Sequence, residues 1–107
     1  IYDSFSITVL TLLEDLGFCP KGEGGRYVEG GKLRFDASGG PALNTDGGGL
    51  SSNHPGMRGI FLLIEAARQL RGDSNSQVAE ARLAVAHGNG GMLGSRHSAG
   101  TIILAAD

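Results

Sequence analysis

The sequence predicts a layered α/β fold, and three observations carry that prediction. Phe5, Val9, Leu12, Leu13 and Leu16 recur at helical spacing. The run "GIFLLIEAARQL", residues 59–70, is apolar around most of its circumference, the pattern of a helix buried between layers. Two stretches that favour strands, around Leu83 and Val85 and over residues 101–104, close the chain. The order helix, long glycine-rich loop, buried helix, strand, strand is one end of a layered α/β arrangement. With 107 residues the chain forms one domain, spanning residues 1–107.

Each element has a local reason. Ser4 or Asp3 can cap the first helix, and Gly17 suits the left-handed position just past its end. Residues 17–52 are punctuated by glycine, and "KLRFD" within them is at most a short strand. The second helix is expected to start at His54 or Pro55, because proline is favoured in a first helical turn where its missing N–H costs nothing. Arg71 falls in its last turn and Gly72 just beyond. The first terminal strand is expected to end at His87, followed by "GNGG". A chain with one further helix and two strands can hardly surround so apolar a helix. Something outside this sequence is expected to cover it, either an absent half of the same polypeptide or a partner subunit.

Composition excludes several function classes. A net charge of -2 and six aromatic residues without tryptophan give neither a basic stripe nor a stacking platform, so no nucleic-acid partner is expected. One cysteine, Cys19, allows no internal disulfide, and with three scattered histidines it gives no zinc-ligand spacing, so no metal site is expected. A reducing cytoplasm fits that cysteine usage. The longest apolar run is well short of the roughly 20 residues a membrane span needs. The opening "IYDSFSITVL" has no initiator methionine, basic segment or cleavage site and reads as a cut edge, of either a fragment of a longer protein or a processed chain.

The chemistry-bearing stretch is "GGGLSSNHPGMRG", residues 47–59. A helix N-terminus presents unpaired N–H groups and partial positive charge, which favours a developing anion. A histidine at that boundary can offer a ring nitrogen to a reacting group, and glycines let the backbone approach a ligand. Taken alone, His54 reads sooner as a hydrogen-bonded boundary residue and the glycines as a simple turn, since glycine-rich loops before helices are common. His87, at a strand end beside "GNGG", is a second place where polar chemistry meets permissive backbone. Two histidines in such settings make a shared site more plausible than either alone.

Taken together, "NTDGGGLSSNHPGMRG", the apolar helix ending "LRG", the strand ending "HGNGG" and the opening "YDSFS" resemble the C-terminal end of the thiolase superfamily. The likeness is greatest to its sterol-carrier-protein and lipid-transfer branch, which includes acetyl-CoA acetyltransferases. The resemblance implies the later part of a fold built from five α-β-α-β-α layers, with the apolar helix at its centre and a homo-oligomer as the usual assembly. It also implies a coenzyme A thioester as substrate, an acyl-CoA or a lipid, with no permanently bound cofactor. On this basis His54 would activate a nucleophilic cysteine carried elsewhere, and His87 would handle the proton of the second substrate in Claisen condensation or thiolytic cleavage. Backbone and side chains around both, at Asn53, Gly88 and Gly90, would contact the substrate and polarise the thioester carbonyl.

The sequence departs from the family pattern in three places. Asn53 stands where the family usually has glycine before His-Pro. "GMRG" replaces the usual Gly-Ala-Thr-Gly-like continuation and brings Arg58, which could meet a phosphate or carboxylate of the ligand or be ion-paired. Tyr2 stands where asparagine or histidine is usual. A tyrosine there is similar to thiolase-like aldolases that cleave steroid side chains, and its phenol could donate a proton or the residue could be structural. Ser52 stands where those aldolases have a further tyrosine before the His-Pro-type motif, which speaks against the aldolase reading. The alternatives to an acyltransferase are therefore a carbon-carbon lyase or a non-catalytic lipid or acyl-CoA carrier. Cys19 is read as structural, so the isolated chain is expected to be inactive.

Overall fold

The computed structural model describes residues 1–38, 40–52, 56–91 and 98–107. Helix α1 (Ser6–Asp15) is followed by a short helix α2 (Gly24–Val28) and 3-10 turns at Glu29–Gly31 and Gly49–Ser51. Helix α3 (Arg58–Arg71) then leads to strands β1 (Leu83–Gly90) and β2 (Ser98–Ala105). The two strands pair antiparallel, with Leu83 opposite Ala105, His87 opposite Thr101 and Gly90 opposite Ser98. Helix α3 packs against β1, so the mixed α/β character read from the sequence is present. Among the described residues no helix is long and apolar enough to cross a membrane.

The core lies at the α1 end. Ile1, Leu12 and Leu13 are buried, and Val9, Leu16, Phe18, Tyr27, Val28, Leu33 and Leu43 pack around them. Of the apolar spacing read from the sequence, Val9, Leu12, Leu13 and Leu16 enter this cluster, whereas Phe5, at the N-cap of α1, is 68% exposed. Glu14 ties α2 to α1 by accepting the Gly24 N–H at 2.9 Å. Gly17 (φ 82) and Gly72 (φ 78) sit in the left-handed region just past α1 and α3, as the sequence implies.

Several local expectations are corrected. Phe5 occupies the N-cap of α1 without a side-chain cap. Asp3 turns instead to the loop at residues 49–50, and Ser4 pairs its hydroxyl with that of Thr8 at 3.1 Å. A carboxylate offered two loop N–H groups and a guanidinium gains more there than at an exposed helix end. "KLRFD" forms turns rather than a strand, and α2 interrupts the glycine-rich loop that the sequence leaves without a helix. Helix α3 begins at Arg58, with Met57 at its N-cap. The expected start at His54 or Pro55 lies outside the described residues. His87 is not the last residue of β1, which runs on to Gly90 because its ladder with β2 continues through Gly88, Asn89 and Gly90.

Helix α3 buries Arg58, Leu62, Ala66 and Gln69, a stripe at helical spacing. Ile60, Phe61 and Ile64 remain exposed, as do Ile102 and Ile103 of β2.

Candidate functional site

The site is assembled where the first residues of the chain meet β1 and the loop before α3. Tyr2 donates its backbone N–H to the carbonyl of His87 at 2.8 Å, so the opening segment lies alongside β1. His87 is only 7% exposed. Its Nδ1 lies 2.8 Å from the Thr101 hydroxyl, directly across the ladder on β2. A hydrogen bond at Nδ1 fixes the ring's orientation and couples the proton on the other nitrogen to the direction of the hydroxyl. Gly88, the next residue, faces the first turn of α3. A Cβ there would stand 3.7 Å from the Gly59 Cα, an ordinary contact.

The loop before α3 is fixed by charge. The Asp3 carboxylate accepts the Gly49 N–H at 2.8 Å and the Leu50 N–H at 3.1 Å. Asp3 Oδ1 also lies 3.5 Å from Arg58 Nε, and both side chains are 5% exposed. The Arg58 guanidinium makes a two-pronged pair with Asp46, with Nη2 to Oδ1 at 2.9 Å and Nη1 to Oδ2. Asp46 in turn accepts the Gly48 N–H at 3.0 Å. The hydrogen bonds from Arg58 hold the Asp46 carboxyl below the usual carboxylate range, and the same partner raises Arg58 further. Ser51 and Ser52 return their hydroxyls to the Gly48 carbonyl at 3.2 Å.

A second polar knot fastens the other end of α3. Glu65 accepts from Thr45 at 2.5 Å, from Ser74 at 2.6 Å and from Gln69 at 3.0 Å. Burial works to raise the Glu65 carboxyl, but the hydrogen bonds from Ser74, Thr45 and Gln69 outweigh it and hold the group low.

Of the residues read from the sequence, the structure brings Tyr2 and His87 together, with Gly88 beside them and Gly90 at the end of β1. Asn53 and His54 lie outside the described residues. Arg58, read as a ligand contact, is turned inward, where Asp46 and Asp3 take up its guanidinium. Sequence reasoning missed Thr101, Asp3 in its loop-holding role, and Asp46. Thr101 becomes visible only once the strand register is known. Asp3 carried a signal, an acidic residue next to Tyr2 inside a recognised motif. Cys19 is half-buried, and its thiol is pushed up by partial burial and by nearby Glu14 and Glu23, the reverse of an activated nucleophile. No group of three or more metal-ligating side chains is found among the described residues.

The profile of the thiolase C-terminal domain-like family matches residues 1–106. The chain belongs to this family. It is 41% identical over 97 residues to an acetyl-CoA acetyltransferase of Methanothermobacter thermautotrophicus, covering 89% of this chain and 25% of that protein. It is 37% identical over 92 residues to sterol carrier protein 2 of Bos taurus, covering 84% of this chain and 17% of that protein. A steroid side-chain-cleaving aldolase of Thermomonospora curvata is 41% identical over 78 residues, covering 72% of this chain and 19% of that protein. The chain thus spans a quarter or less of each of these relatives. The likeness to both acetyltransferases and sterol carrier proteins agrees with the branch that the motifs resemble.

Proposed function

We propose that this chain is the C-terminal portion of a thiolase-like enzyme that transfers or releases the acyl group of a coenzyme A thioester. In this reading His54 takes the proton of a cysteine carried elsewhere in the protein, and the thiolate attacks the thioester carbonyl. In condensation the acyl group passes to sulfur and coenzyme A leaves as the thiol. His87 then removes a proton from the carbon next to the carbonyl of the second acyl-CoA, and the carbanion takes the acyl group and releases the cysteine thiolate. In thiolysis the thiolate instead attacks the 3-keto carbonyl, the bond between C2 and C3 breaks, and His87 protonates the departing acyl-CoA carbanion. The thiol of coenzyme A then takes the acyl group from sulfur. Asn53 and the backbone at Gly88 and Gly90 contact the substrate and polarise its carbonyl. Arg58 enters as a structural cation rather than a ligand contact.

The observation that carries this reading is the 2.8 Å bond from the Tyr2 N–H to the His87 carbonyl. It sets the first motif beside the last, 85 positions apart in sequence. The apolar side of α3 at Ile60, Phe61 and Ile64 is where the rest of such a protein, or a second subunit of a homo-oligomer, would pack.

The test is CoA-dependent thiolysis of a 3-ketoacyl-CoA by the full-length protein that carries this chain. His87→Ala is expected to lower kcat by about 10²–10⁴-fold, the usual worth of a general acid or base. The similarity to the steroid side-chain-cleaving aldolase, with Tyr2 next to His87, supports a second reading as a carbon-carbon lyase. Cleavage that survives thiol alkylation would move the assignment there, and ligand binding without turnover would point to a lipid carrier.

A further inference from the structure

Asp3 is the point at which three separate pieces of chain are joined. One residue earlier, the Tyr2 N–H is bonded to β1 at His87. The carboxylate itself reaches the loop at Gly49 and Leu50 and the start of α3 at Arg58. We propose that Asp3 is a positioning residue that holds the loop at residues 48–52 and the first turn of α3 against β1 in one fixed geometry. The inference rests on the thioester reading above for its catalytic meaning. His54 falls in the sequence between Ser52 and Arg58, so both stretches leading to it are held by the same carboxylate.

The chemistry of the clamp demands a carboxylate of this length. Asp3 receives two backbone N–H donors on different oxygens and faces a guanidinium, so an acceptor-only group is required. An amide at this place would turn its NH2 toward another donor and leave a partly buried N–H without an acceptor. The clamp also accounts for the glycines that precede it. A Cβ on Gly49 would stand 2.9 Å from Asp3 Oδ1, and one on Gly48 would fall even closer to Oδ2. Gly48 further has φ 75, a conformation that costs a side-chain-bearing residue. These two glycines are thus explained by the space the Asp3 carboxylate occupies, without any appeal to loop motion. Charge balance is completed by Asp46, which takes the guanidinium face of Arg58 that Asp3 does not.

The experiment uses the full-length protein, with hydrogen exchange of individual amides and steady-state kinetics on an acyl-CoA thioester. Asp3→Asn is expected to speed exchange at Gly49 and Leu50 by about tenfold, the scale of one lost buried hydrogen bond. Amides of the β1–β2 ladder should exchange at the wild-type rate. In the same variant kcat should fall by about 10²-fold, the cost of misplacing reacting groups by about an ångström, while KM stays within a few fold. Gly49→Ala keeps the charge but displaces the carboxylate, and it supplies the same readouts if Asp3→Asn does not fold. Exchange at Gly49 and Leu50 left unchanged, or a change in KM alone with kcat intact, would overturn the proposal. A wild-type protein inert toward acyl-CoA would sink the functional reading alone. Protection of Gly49 and Leu50 would then still decide whether Asp3 holds the loop.

Discussion

The two sides of α3 differ in what their residues are partnered with. Its inward side buries Arg58 and Gln69 beside Leu62 and Ala66, and Glu65 is held by three hydrogen bonds. Its outward side carries Ile60, Phe61 and Ile64, which are 51%, 37% and 47% exposed, together with the exposed Arg68 and Arg71. The contrast extends beyond the helix. The loop at residues 44–52 has almost no regular structure, yet Asp3, Asp46 and the serine hydroxyls fix it at nearly every residue. Strand β2 is fully regular and exposed along almost its whole length. Fixation here follows polar partners, and regular structure follows backbone pairing. An apolar surface that its own chain does not cover is what a module of a larger protein presents.

The sharpest way to break this contrast is to remove the cation of the inward side. Arg58→Leu leaves Asp3 and Asp46 facing each other without a counter-charge. Removing one partner of a buried ion pair is expected to cost about 3–5 kcal/mol, because the remaining charge stays desolvated. Equilibrium unfolding in urea checks this. A loss below about 1 kcal/mol, the usual ceiling for an exposed ion pair, would mean that the group behaves as a surface salt bridge.

Acid should separate the two sides next. Asp46 and Glu65 are both held below their ordinary values in the folded protein. For a depressed carboxylate the stabilisation is fully present above its unfolded pKa, about 4 for this class of group. It is lost as pH falls through the lower folded value. Stability should therefore stay level from neutral pH down to about 5 on this account and fall below about 4. Asp46→Asn should make the decline shallower. A decline equally steep in Asp46→Asn would place the acid sensitivity elsewhere.

Much of this arrangement was legible before any coordinates, and the part that was not has a physical reason. The apolar spacing of α1, the end of α3 at Gly72 and the two terminal strands all follow from local pattern, because each depends on neighbours a few residues away. So does the excess of apolar residues on α3 over what a small chain can bury. The role of Asp3 was not legible, since Asp3 and Ser4 both look like helix caps from the sequence. The loop 46 residues away competes for the same carboxylate and wins it. Arg58 stayed open between a ligand contact and an ion-paired residue for a similar reason, because its partner Asp46 lies 12 residues earlier across a glycine-rich turn. Of the site, Tyr2 and His87 were named from motifs and found adjacent, while Thr101 required the strand register.

The smallest expected effect tests the outward side. Ile64→Gln replaces a half-exposed apolar side chain on α3 with a polar one of good helix propensity. In this chain the change should alter stability by no more than about 0.5 kcal/mol, the range for surface substitutions away from special features. In the full-length protein the same substitution should cost about 2 kcal/mol or more if this face is packed, because a buried amide without partners carries a desolvation penalty. Measuring both by chemical denaturation turns the contrast between the two sides of α3 into a number. Equal and small effects in the short chain and the full-length protein would show that this side stays in solvent, and the exposed Ile60, Phe61 and Ile64 would then need another cause.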